Sequence, residues 1–113
     1  MIEDWKKLID NMNGGVKSLR QEAPAVMKSF SDMARSAHAG VALDPATKEL
    51  IALAISVATR CQPCIAYHAQ GAAKAGATRE QISETLGMAV YMGAGPSVMY
   101  AAKAFEAFEQ VSQ

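Results

Sequence analysis

The chain has 113 residues, half of them apolar and 19% charged, which suits a single packed domain and excludes an ordinary disordered segment. Eleven basic residues balance eleven acidic ones, so no strong field is available to recruit nucleic acid or an anionic membrane. Aromatic residues are scarce at 6% while alanine and methionine abound, a balance that favours close helix–helix packing over β-sheet.

The start of the chain, Met1 to Lys7, is charged and does not read as a secretory signal. Trp5, Leu8, Ile9 and Met12 then recur at helical spacing and predict a first helix over roughly residues 2–12. Asn13-Gly14-Gly15 is expected to stop it, with a short helical turn over residues 16–21. Pro24 opens a second helix whose apolar face carries Val26, Met27, Phe30 and Met33, and Gly40 closes it.

Asp44-Pro45 begins the third helix, with aspartate as N-cap and proline in the first turn. From Leu50 to Ala58 that helix is apolar almost all round, which predicts burial within the domain or against partner subunits. The longest nearly uncharged run, Leu50 to Thr59, is ten residues, well short of the roughly 20 needed to span a bilayer. The expected location is therefore the cytoplasm, where a close cysteine pair reads as redox-active or metal-binding. Arg60 to Cys64 forms a break that starts a fourth helix, ending near Gly76. Thr78-Arg79-Glu80-Gln81 matches a capping box for a fifth. Gly93-Ala94-Gly95-Pro96 is expected to break that helix and begin a last one near Ser97. No segment alternates, so the predicted fold is all-α with about six helices in one domain over residues 1–113.

Cys61-Gln62-Pro63-Cys64 is a Cys-x-x-Cys pair at a helix start, where the separation brings the two Cα atoms to roughly 5–6 Å. Amide groups and the macrodipole of the first turn favour a thiolate there. His68 follows Cys64 by four residues and shares its helical face, so its ring can accept a thiol proton. Zinc is the rival reading, since Cys61, Cys64 and His68 supply three ligands and His38 or Glu49 could add a fourth. His38 otherwise reads as a cation at a helix C-terminus. Glu49 has two readings, a carboxylate favoured by the helix dipole or a partly buried proton relay. Spacing alone does not bring it to the cysteines. The three tyrosines and seven methionines read as packing residues. Gly93-Ala94-Gly95 lacks the strand that a phosphate loop requires, and no nucleotide, flavin or haem motif calls for a cofactor.

Glu49, eleven intervening residues, and then Cys61-x-x-Cys64-x-x-x-His68 resembles the signature of the alkylhydroperoxidase D-like branch of the carboxymuconolactone decarboxylase family. The flanking Lys48 to Ala54 and Ala72 to Thr78, and the Glu80-Gln81-Ile82 helix start, agree with it. The resemblance implies an all-helical fold, assembly into homotrimers or homohexamers, and thiol peroxidase or disulfide reductase activity on a small hydroperoxide or disulfide. It implies that Cys64 is the peroxidatic thiol, that Cys61 resolves it to a disulfide, that His68 assists Cys64 and that Glu49 relays protons to Cys61. An external dithiol protein would then be the reductant. One position departs from the pattern. Where the best-studied members carry a second histidine before the second cysteine, Pro63 stands here and shortens the relay by one group. Two alternatives remain: a lactone decarboxylase, whose chemistry needs no cysteine pair, and a zinc-stabilised assembly module.

Overall fold

The computed structural model describes residues 1–113 and is entirely helical outside short connections: α1 (Trp5–Glu22), α2 (Pro24–Ala39), α3 (Pro45–Ala58), α4 (Gln62–Lys74) and α5 (Arg79–Val111). The capping signals behave as the sequence predicts. Asp44 accepts the Thr47 amide at 2.8 Å, and Thr78 and Gln81 close a reciprocal capping box. Pro24 and Pro45 sit in the first turns of α2 and α3.

Helix α1 departs from expectation. It runs straight through Asn13-Gly14-Gly15, joining the predicted first helix to the turn beyond it. A glycine stops a helix where it takes positive φ at the C′ position, and the one glycine with positive φ is Gly76, after α4. Tertiary anchoring at the N-terminus of α1 overrides the local propensity. Trp5 and Ile9 are buried, and the Glu106 carboxylate accepts the Ile2 amide at 2.7 Å, the Glu3 amide at 3.1 Å and the Trp5 indole N–H at 2.8 Å. Burial works to raise the pKa of Glu106, but the donors from Ile2, Trp5 and Glu3 and the nearby N-terminal charge hold it below its ordinary value.

The predicted break in α5 falls in the right place but makes no loop. Two helical runs meet at a kink at Ala94, which takes the non-helical φ 53° and ψ −140°, with Pro96 beyond it. The fifth and sixth expected helices are thus two arms of one element.

Helices α3, α4 and the two arms of α5 pack on one another, and α1 lies across α4 and α5. Their core combines Leu53, Val57, Ile65, Ile82 and Phe108 with fully buried alanines at 66, 69, 72, 104 and 107. Alanines at spacings of three on α4 and α5 let those backbones approach closely. Within the single chain the apolar face of α3 is only partly covered, and Ile51 and Ile55 remain 44% and 56% exposed. Helix α2 buries no residue and packs on α1.

Candidate active site

The turn between α3 and α4 builds the cysteine site. Cys61 donates its amide to the Ser56 carbonyl and Arg60 donates to Val57, closing the end of α3, while Arg60 takes positive φ. That closure delivers Cys61 in an extended conformation as the N-cap of α4. Gln62 and Pro63 fill the first turn, where proline costs no hydrogen bond. Cys61 and Cys64 form a disulfide with Cα atoms 5.2 Å apart, as their spacing predicts. The Cys64 amide points at Cys61 Sγ, 3.3 Å away. In the reduced pair this amide and the start of the helix would stabilise negative charge on Cys61.

His68 lies one turn beyond Cys64 and faces the same cavity. Its Nδ1 is 2.9 Å from Oε2 of Glu49, which reaches across from α3 and is itself only 18% exposed. With the carboxylate as acceptor, a neutral ring donates through Nδ1 and keeps its lone pair on Nε2. The packing of α3 on α4 thereby joins Glu49 to His68, a connection that 19 residues of sequence did not reveal. His38, in the last turn of α2, contributes a more distant contact, with Nε2 3.9 Å from the other Glu49 oxygen. Lys48 fixes the α2–α3 connection by donating to the carbonyls of His38 at 3.1 Å and Gly40 at 2.6 Å.

The cysteines and His68 open into a cavity of about 810 Å³. Met12 and Val16 of α1 and Phe30 of α2 form its apolar wall, and Tyr67 of α4 faces them. The Tyr67 hydroxyl donates to Asn13 Oδ1, so the residue expected to end α1 instead ties its middle to α4. Sequence reasoning did not identify this wall, because its residues carry no chemistry of their own. Their only signal was the apolar periodicity that assigned them to a core.

With Cys61 and Cys64 joined in the disulfide, no three histidine, cysteine, aspartate or glutamate side chains converge as a metal-binding group.

The model of the carboxymuconolactone decarboxylase family matches residues 24–107, about three-quarters of the chain, including Glu49, Cys61, Cys64 and His68 but not the α1 side of the cavity wall. The chain belongs to the carboxymuconolactone decarboxylase family. A solved relative in the family, the apo form of a protein from Legionella pneumophila, shares 49% identity and a TM-score of 0.93, with 96% of this chain and 97% of that one superposed. An uncharacterised protein of Cupriavidus necator is 37% identical, covering 99% of both chains. An uncharacterised protein of Haemophilus influenzae is 35% identical over 96% of both. Paracoccus denitrificans has a similar protein, named for its place in a cox locus, that is 39% identical over 74% of this chain and 75% of its own. Family membership supports a function of the alkylhydroperoxidase or decarboxylase kind. No helix is long and apolar enough to cross a membrane.

Proposed function

We propose that this protein is a cytoplasmic thiol-dependent oxidoreductase that reduces a small organic hydroperoxide or disulfide through Cys61 and Cys64. The observation that carries the reading is the shared cavity, into which both sulfurs open beside a histidine oriented by a carboxylate.

In the peroxidase cycle His68 takes the Cys64 proton at Nε2, and Glu49 stabilises the ring as it becomes cationic. The Cys64 thiolate attacks the terminal peroxide oxygen. The O–O bond breaks, Cys64 becomes a sulfenic acid, and the leaving alkoxide takes a proton from His68 to depart as alcohol. The Cys61 thiolate then attacks the sulfenic sulfur, and hydroxide leaves as water after protonation. An external dithiol protein returns two electrons by attacking Cys64 Sγ. Cys61 leaves as a thiolate facing the Cys64 amide, a stabilised leaving group for that exchange. The apolar walls favour an organic hydroperoxide over hydrogen peroxide.

Assembly into a homotrimer or homohexamer is part of the same proposal. Ile51 and Ile55 on α3 and Met88 and Met92 on α5 leave an exposed apolar face around a cleft of about 380 Å³ that includes Ile55, Met88 and Met92.

Thiol titration before and after a small excess of cumene hydroperoxide tests the function. Two thiols lost per chain, restored by a dithiol and no longer consumed as a pair in Cys64→Ser, are expected. Thiols that survive hydroperoxide in the reduced protein would refute the reading. Turnover of a carboxylated lactone that persists in Cys64→Ser would replace it with the decarboxylase alternative.

A further inference from the structure

We infer that Gly71 is a positioning residue for the Cys64–His68 chemistry, because the space its missing side chain leaves is where the Glu49 carboxylate sits. The inference rests on the oxidoreductase reading for its kinetic consequence, though its geometry stands apart from it.

Gly71 lies inside α4, three residues after His68 and therefore on the same side of the helix. A Cβ at this position would stand 2.5 Å from Glu49 Oε2, 2.7 Å from Cδ and 3.1 Å from Oε1. Oε2 is the same atom that lies 2.9 Å from His68 Nδ1. Glycine within a helix is disfavoured against alanine by about 1 kcal/mol, and the backbone at Gly71 is ordinarily helical, so conformation gives no reason for it. Among the other helical glycines, Gly14, Gly15, Gly87 and Gly95 have nothing within 4 Å of the same hypothetical atom, and Gly93, at the α5 kink, meets Ser97. What glycine supplies at position 71 is room for a carboxylate to lie against α4.

A methyl group there would be accommodated without unfolding the protein, because the atoms it meets are the tip of a flexible side chain. Restoring ordinary contact requires the carboxylate to retreat by about 1 Å. That movement opens the 2.9 Å hydrogen bond to His68 and frees the ring to change tautomer. Misplacement on that scale reduces rates by up to about 10²-fold.

The experiment compares the full-length protein with Gly71→Ala, Glu49→Ala and the double variant, using three readouts. Ring ¹⁵N shifts of His68 report the Nδ1–H tautomer. Urea unfolding reports stability, and hydroperoxide-driven thiol loss reports rate. Gly71→Ala is expected to give His68 the spectrum of Glu49→Ala and to slow thiol loss by about 10- to 100-fold. Added to Glu49→Ala, it should slow nothing further and should raise the urea midpoint, since alanine is the better helix former once the carboxylate is gone. An unchanged His68 spectrum in Gly71→Ala, or an equal rate loss in both backgrounds, overturns the inference. If the parent protein does not consume hydroperoxide, the functional reading fails, while the tautomer and stability readouts still decide the role of Gly71.

Discussion

The kink in α5 makes two neighbouring residues respond to substitution with opposite signs. Ala94 holds φ 53° and ψ −140°, a region that L-residues populate sparsely and that costs of order 1–3 kcal/mol. Ala94→Gly removes that cost but returns about 0.4–1 kcal/mol of freedom to the unfolded chain, leaving a net gain of about 1 kcal/mol. For a chain of this length the gain is a rise in Tm of roughly 4 °C. Gly93 is the reverse case. A Cβ there would fall 1.9 Å from Ser97 Oγ and 2.9 Å from Ser97 Cβ, and Ser97 is buried at 5% exposure. Rotating the hydroxyl relieves the first clash but not the second, so the backbone must shift. Gly93→Ala should therefore lose about 1–3 kcal/mol. Trp5 is the sole tryptophan and is fully buried, which makes urea unfolding by fluorescence, at one fixed protein concentration, a direct assay. A lower midpoint for Ala94→Gly, or an unchanged one for Gly93→Ala, would refute the assignment of strain and crowding at this bend.

Glu49→Gln should slow hydroperoxide-driven loss of the Cys64 thiol by about 10²-fold while both cysteines remain titratable under denaturant, because the amide cannot balance the charge on His68. Undiminished rates in that variant would remove Glu49 from the site. Glu106, whose pKa is lowered in the fold, stabilises the protein above its unfolded value near the ordinary carboxylate range, and that contribution is lost as pH falls through the lower folded value. Glu106→Gln should accordingly flatten the acid limb of a stability–pH curve followed by Trp5 fluorescence, and an unchanged limb would count against the carboxylate clasp at the N-terminus. Ile65→Ala, at a fully buried position of α4, should cost about 2–5 kcal/mol in the same unfolding assay, and a loss below 1 kcal/mol would show that this helix does not pack as described.

Sequence legibility followed the range of the interactions. Asp44 with Thr47 and Thr78 with Gln81 are contacts within one turn, and both caps could be read from spacing. Cys61, Cys64 and His68 likewise owe their proximity to one helix start. Gly14-Gly15 misled because a glycine pair has the same appearance inside a helix as after one, and only the anchoring of Trp5 to Glu106 and Gln110 and the burial of Ile9 hold α1 across it. The pairing of Glu49 with His68 depends on which face of α3 meets α4. The all-apolar run of α3 hid that face, since a helix without a polar side offers no period to read. Gly71 could be noticed as an isolated glycine within a helical pattern, but its meaning required the position of a residue 22 earlier in the chain.

The two halves of the site stand on elements of different rigidity. Glu49, Cys64 and His68 belong to α3 and α4, which are locked by buried Leu53, Val57, Ile65 and Ala69. Groups that must hold a hydrogen bond within a fraction of an ångström need such a support. Phe30 and Ala34 belong to α2, which buries nothing, and the cavity wall they share with α1 is tied to α4 through Tyr67 and Asn13. Elements with little buried surface open at low free energy. On the proposed function, the same division would let the wall adapt to substrates of different shape while the histidine–carboxylate pair stays in register with the cysteines. On that reading, changes in α2 would bear on which substrate reaches Cys64, and changes in the α3–α4 contact on how fast Cys64 reacts with it.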